Sequence, residues 1–237
     1  MRDTRKPESY LFENYNKYSK RIERQINKVD SGVLNRPERF ILSIFISKVH
    51  QLVLAYSLGK TKDEMKILYQ EFLDLLEKYD PHIYTENANV WIFKSYVDLL
   101  WMVCLGYLLD FSAEDLLLFK DKTIASDRND KLISTIFHQL YNDVEILPNY
   151  LMEDPTPKLD PILEAGTNAN IEDLKNYLLN DWYKAHKGLA WHNTHKNDNL
   201  PYLGYWSFES AAIVKMFNLD DTILQGVDYY PYDAAHW

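Results

Sequence analysis

Apolar positions recur at helical spacing along most of the chain. Tyr10, Leu11, Tyr18, Ile22, Ile26 and Val29 stand among charges at intervals of three, four and seven, which predicts an amphipathic first helix. Asn35-Arg36-Pro37-Glu38 marks a second start, with Asn35 as cap or Pro37 in the first turn. That helix runs through Ile41, Phe45, Val49 and Leu52 to a stop at Gly59. Thr61-Lys62-Asp63-Glu64 is a capping box that opens a third helix, which reaches Tyr79 before Asp80-Pro81 breaks it. From about Asn87 to Leu109 the chain is apolar nearly all round, the pattern of a central helix against which others pack.

Ser112-Ala113-Glu114-Asp115 is a second capping box, ahead of a short helix through Leu116 and Phe119. Asp127 is placed to cap a helix through Leu132, Ile136, Leu140, Val144 and Leu147, which Pro148 ends. A break rich in Pro and Asp follows over 153–161. Asn170 then caps a helix from Ile171 to His186, and after an Asn-rich loop a final helix spans about Tyr205 to Phe217. No segment alternates with a period of two, and no fixed-period repeat stands out. The expected fold is all-α: a helical bundle of about eight helices in two closely packed subdomains, 1–120 and 121–237. The seam is expected near residues 110–127, where the apolar helix ends and the charge balance changes.

Composition adds limits. Seven glycines and nine prolines in 237 residues argue against a turn-rich β fold. The single cysteine, Cys104, forms no internal disulfide and fits a reducing compartment. The N-terminus lacks the apolar stretch of a signal peptide. The most apolar segment, Leu99 to Leu109, is shorter than the roughly 18–20 residues that span a bilayer. These features predict a cytoplasmic protein with no membrane contact.

Charge separates the halves. Residues 1–120 carry 17 Lys+Arg and 17 Asp+Glu, whereas 121–237 carry 9 and 18, the whole net charge of −9. An acidic half repels phosphate, which argues against direct nucleic-acid binding. It also steers a basic protein toward itself, raising the association rate more than the affinity.

The residues offer little catalytic chemistry. His186, His192 and His195 cluster, with Asp198 beyond them and Glu209 on the last helix. Their intervals of six and three place them on different helical faces or in a loop, and no His-Glu-x-x-His motif occurs. A helical metal-dependent hydrolase using His192, His195 and Glu209 is the alternative reading. Cys104 lies in the most apolar helix, where a thiol behaves as a small hydrophobe. Ser207 lacks a Gly-x-Ser-x-Gly turn, and no phosphate-binding glycine loop is present. No enzyme activity, catalytic residue or cofactor is expected.

The last quarter interleaves aromatic rings with carboxylates, and Lys215 is its only strong base from Pro201 onward. Phe208, Ala211 and Ala212 read as core. If the final helix begins at Tyr205, the Glu209 carboxylate lies beneath the rings of Tyr205 and Trp206. Trp206 and Glu209 then suit either a buried hydrogen bond or a partner contact. Asp220-Asp221 reads as an N-cap for Thr222 and Ile223. Asp228-Tyr229-Tyr230-Pro231-Tyr232-Asp233 reads as an extended tail whose rings either pin the chain end or anchor a partner. The candidate partner-binding residues are Trp206, Glu209, Asp220, Asp221, Asp228, Tyr229, Tyr230 and Asp233, with the acidic loop at 153–160 as another location.

Trp182-Tyr183, the run Leu200-Pro-Tyr-Leu-Gly-Tyr-Trp-Ser-Phe-Glu-Ser-Ala-Ala212, Asp220-Asp221 and Tyr230-Pro-Tyr-Asp233 resemble the C-terminal signature of the PoNi immunity proteins, which neutralise polymorphic-toxin nucleases. Tyr56-Ser57-Leu58-Gly59 and the apolar helix after it are similar to that family's N-terminal domain. The resemblance covers nearly the whole chain. It implies an all-α, two-part antitoxin that binds and silences a DNA-cleaving toxin, often one delivered by a type VI secretion system in bacterial competition. The partner it implies is a basic nuclease domain encoded beside this gene. Toxin-contacting residues diverge within such a family, so the resemblance assigns none.

Overall fold

The computed structural model describes residues 1–79, 82–85, 88–91, 95–126 and 128–237. The chain divides into two compact units: Met1–Leu99 with Thr194–Gly204, and Leu100–Asn193 with Tyr205–Trp237. The class is all-α, and among the described residues there is one short two-stranded ribbon.

The first unit is built on α1 (Glu8–Asp30), α2 (Pro37–Leu58) and α3 (Lys62–Lys78). Leu11, Tyr18 and Ile22 form the buried stripe of α1, and the Tyr18 ring meets His50 of α2 edge-on at 5.1 Å. Pro37 occupies the first turn of α2, and no side chain caps that end. Gly59 ends α2 in a left-handed conformation, φ 91°. By length and composition α2 could cross a membrane, but 67% of its apolar window is buried, as in a core helix. The Thr61–Glu64 capping box forms at α3: Glu64 N donates to Thr61 Oγ1 at 3.3 Å, and Thr61 N to Glu64 Oε2 at 2.8 Å.

The apolar stretch expected to be helical from Asn87 is not so throughout. β1 (His82–Thr85) and β2 (Ala88–Trp91) pair antiparallel with Thr85 opposite Ala88, and α4 (Tyr96–Leu108) begins only after them. Ile83, Tyr84, Thr85, Val90 and Trp91 are β-branched or aromatic residue types, which favour a paired extended backbone. Asp80-Pro81, Asn87 and Asp127 themselves lie outside the described residues.

Thr194–Gly204 joins the first unit through specific hydrogen bonds. Tyr202 OH donates to buried Asp3 Oδ2 at 2.6 Å, and Ser57 Oγ donates to Leu203 O at 2.6 Å. Tyr10 OH donates to Leu200 O and accepts from Tyr202 N, each at 3.0 Å.

In the second unit, Trp101, Met102, Cys104 and Leu105 of α4 are buried. α5 (Ala113–Ile124) starts at the Ser112–Asp115 capping box and turns Leu116, Phe119 and Thr123 inward. Phe119 meets Phe137 of α6 (Lys131–His138) edge-on at 6.4 Å. Asp130 caps α6: its Oδ1 accepts from Ile133 N at 3.0 Å and its Oδ2 from Leu151 N at 3.2 Å. α6 ends at His138 and does not continue through Val144 and Leu147. The chain folds back there, with His138 Nδ1 2.8 Å from Val144 O and Leu147 N donating to Ser134 Oγ at 2.9 Å.

α7 (Asp160–Ala165) and α8 (Ile171–Asn176) follow, the latter capped by Asn170 Oδ1 accepting from Glu172 N at 3.2 Å. The helix expected to reach His186 converts to a π-turn over Tyr177–Trp182, then α9 (Tyr183–Ala185). α10 (Phe208–Phe217) and α11 (Tyr232–Ala235) complete the unit. Lys215 of α10 donates to Leu108 O at 2.8 Å, Asp110 Oδ1 at 2.7 Å and Trp237 O at 2.9 Å. The lone strong base from Pro201 onward thus fastens the chain end to the close of α4.

Candidate functional site

The signature divides at its glycine. Leu200 to Gly204 belongs to the first unit and Tyr205 onward to the second. Gly204 makes the turn at φ 108°, where a side chain would be strained.

α10 begins at Phe208, later than the expected Tyr205, so Glu209 does not lie beneath Tyr205 and Trp206 on one helix. Its environment comes from the π-turn. The i→i+5 bonding there widens the helix, so Tyr177 and Trp182 face one carboxylate. Glu209 Oε1 accepts from Trp182 Nε1 at 2.6 Å, from Ser207 Oγ at 2.7 Å and from Tyr177 OH at 3.3 Å. Ser207 Oγ also pairs with Ser210 Oγ at 2.7 Å. The other oxygen, Oε2, is buried with no hydrogen-bond partner among the described residues. Burial pushes the Glu209 carboxyl above the ordinary range, against the downward pull of its donors. Burial, with the Glu209 charge second, pushes up the Cys104 thiol, so Cys104 is a packing residue.

Stacked rings enclose this centre. Trp182 stacks on Trp191 at 5.7 Å, and Trp101 lies 5.7 Å from Trp191. Tyr229 lies parallel to Tyr183 at 5.0 Å and 5.2 Å from Trp182, while its carbonyl accepts from Ser207 N at 2.8 Å. Sequence reasoning gave Tyr177 and Trp191 no role in this centre, whereas Trp182, Ser207, Glu209 and Ser210 all lie in the signature.

The tail is folded back on the unit. After Pro231 the chain forms α11 instead of staying extended. Tyr230 OH donates to Asp221 Oδ2 at 2.5 Å, and His236 Nε2 lies 3.2 Å from Asp221 Oδ1. Trp206, Glu209, Asp221 and Tyr230 are buried, each between 2% and 7% exposed. Asp221 does not cap Thr222. Asp220 does, accepting from Thr222 N at 3.1 Å and from Thr222 Oγ1 at 2.5 Å, which holds its carboxyl below the ordinary range. Asp220, Asp228 and Asp233 are exposed and Tyr229 is half-buried.

The histidines do not form a ligand set. Among the described residues no group of three or more His, Cys, Asp or Glu could hold a metal ion. His192 stacks on Tyr183 at 4.2 Å, and His195 meets Tyr202 edge-on at 6.1 Å. His186 Nδ1 lies 2.6 Å from Trp182 O, and burial lowers its pKa to about 4. Glu209, the third residue of the hydrolase alternative, spends Oε1 on Trp182, Ser207 and Tyr177.

Comparison with known proteins matches this architecture. The crystal structure of protein PA2201 from Pseudomonas aeruginosa superposes with a TM-score of 0.64 at 16% identity, over 93% of this chain and 87% of that one. At that identity the likeness is one of fold. No curated protein matches. Residues 3–117 match the family of PoNe immunity protein (PoNi), N-terminal, and residues 128–234 match PoNe immunity proteins (PoNi), C-terminal. The chain belongs to the PoNi family, and it is an immunity protein that binds and neutralises a PoNe nuclease toxin.

Proposed function

We propose that this protein neutralises its toxin by stoichiometric occupation, without turnover, and that its acidic C-terminal half meets a basic nuclease domain encoded by the adjacent gene. The observation that carries this reading is charge: residues 121–237 hold 18 acids against 9 bases. A nuclease binds phosphates through a basic cleft or its margins, and an acidic surface is complementary to that chemistry. Asp220 and the tail residues Asp228 and Asp233, all exposed, together with half-buried Tyr229, suit such a contact. The setting is the cytoplasm of a bacterium that delivers the toxin to competitors through a type VI system and protects itself and its kin with this protein. Co-expression tests the reading: the neighbouring gene's nuclease domain should kill alone and be silenced by this chain. Toxicity that persists at equal expression would defeat it.

A further inference from the structure

We infer that the groove between α1 and α3 is a separate contact for the toxin and takes a short acidic segment of it; this rests on the immunity reading above. Both helices pack on α2, and the groove between them, of about 340 Å³, has Lys48 and Gln51 of α2 at its floor. Lys48 is 1% exposed, a burial that lysine seldom undergoes. Among the described residues, Glu71 Oε2 of α3 and Gln51 Oε1, the latter at 2.8 Å, take two of its three ammonium N–H groups. Gln51 Nε2 continues the chain of bonds to Ser19 Oγ of α1 at 2.8 Å. A buried lysine paired to a carboxylate that is itself 54% exposed adds little stability, because desolvation offsets the attraction. Its third N–H group is a donor for a partner in the groove.

The lining selects the occupant. Ile22 and Ile26 of α1 give the groove an apolar wall, and Glu23 and Asn27 stand at its edge. The same two edge residues border an adjoining hollow of about 420 Å³ that is lined by Lys20, Arg24 and Lys28, all exposed. Across the two hollows four bases stand against two acids, and one of those acids, Glu71, is already paired with Lys48. The site therefore favours a carboxylate, in a chain whose net charge is −9. An extended peptide supplies the remaining groups. Its carbonyl accepts from Lys48, its N–H donates to Glu23 or Asn27, and an apolar side chain rests on Ile22 and Ile26. A phosphate polyanion has no group for the isoleucines and is repelled by Glu23. The family's partner is a protein, so the segment belongs to the toxin.

The test uses the full chain and the nuclease domain encoded by the adjacent gene, inactivated by an active-site substitution. Asn27→Trp, which fills the groove from an exposed position, should weaken binding at least about tenfold in titration calorimetry. Arg24→Glu with Lys28→Glu, which leaves the groove open, should weaken it by about as much and reduce its salt dependence. Lys48→Met keeps the stem, removes the donor and should cost about tenfold. Leu179→Gln, at a 49% exposed leucine elsewhere, should leave binding within about twofold. Circular dichroism checks that each variant is folded. Folded groove variants that all bind like wild type overturn the inference and leave the immunity reading intact. A wild-type chain that does not bind the domain overturns both. A charge-reversed variant that keeps the toxin but loses a DNA duplex held by wild type assigns the bases to phosphate and overturns the inference. A wild-type dimer that the charge reversal dissociates assigns the site to a second copy and overturns it too.

Discussion

The Trp182 indole donates to Glu209 Oε1 at 2.6 Å, joining the π-turn to the first turn of α10 inside a ring-lined interior. This bond explains why the signature contains a glutamate where burial penalises charge. One carboxylate oxygen gathers three buried donors, those of Trp182, Ser207 and Tyr177.

Glu209→Ala should therefore cost about 3 kcal/mol of stability, because Trp182, Ser207 and Tyr177 lose an acceptor together. Glu209→Gln retains one oxygen and should cost about 1 kcal/mol. Urea unfolding of the two variants, followed by tryptophan fluorescence, checks the order.

The pH dependence of stability should carry two opposed contributions. Burial raises the Asp98 pKa from 3.8 to about 7. The folded state then binds the proton more tightly than the unfolded, so this contribution is present at low pH and fades as pH rises from about 4 to about 7. His186 and His50, each lowered by burial from 6.5 to about 4, act in the other sense: their contribution is complete above 6.5 and fades as pH falls toward 4. Asp98→Asn should remove the first slope, of at most about 1.4 kcal/mol per pH unit, and keep the second. Thermal unfolding of both proteins between pH 4 and 8 separates them.

Lys215→Met should loosen the chain end. The substitution keeps the apolar stem but removes the donors to Leu108 O, Asp110 and Trp237 O. A loss of about 1–2 kcal/mol is expected. Faster amide exchange over α11 would locate that loss in the tail, and unchanged exchange there would contradict the role given to Lys215.

The local rules that made the fold legible were short in range. Both capping boxes, Asn170 as cap and Gly59 as stop need only neighbouring residues, and the structure has each of them. What escaped depended on distant partners. Nothing in Tyr177 to Trp182 announces a π-turn, because its effect is to aim two side chains at a glutamate remote in sequence. α6 ends early because Ser134 and His138 bond the returning chain. The sequence offers Asp221, Asp228 and Asp233 alike as candidate contacts, yet pairing with Tyr230 takes Asp221 inside while Asp228 and Asp233 stay out.

The most direct measurement is DNA cleavage by the adjacent gene's nuclease domain, titrated with this protein. Immunity by occupation predicts that cleavage falls linearly and ends at one-to-one stoichiometry, with inhibition weakening as salt rises. Cleavage that continues at saturating protein, or inhibition far below stoichiometric amounts, would contradict it.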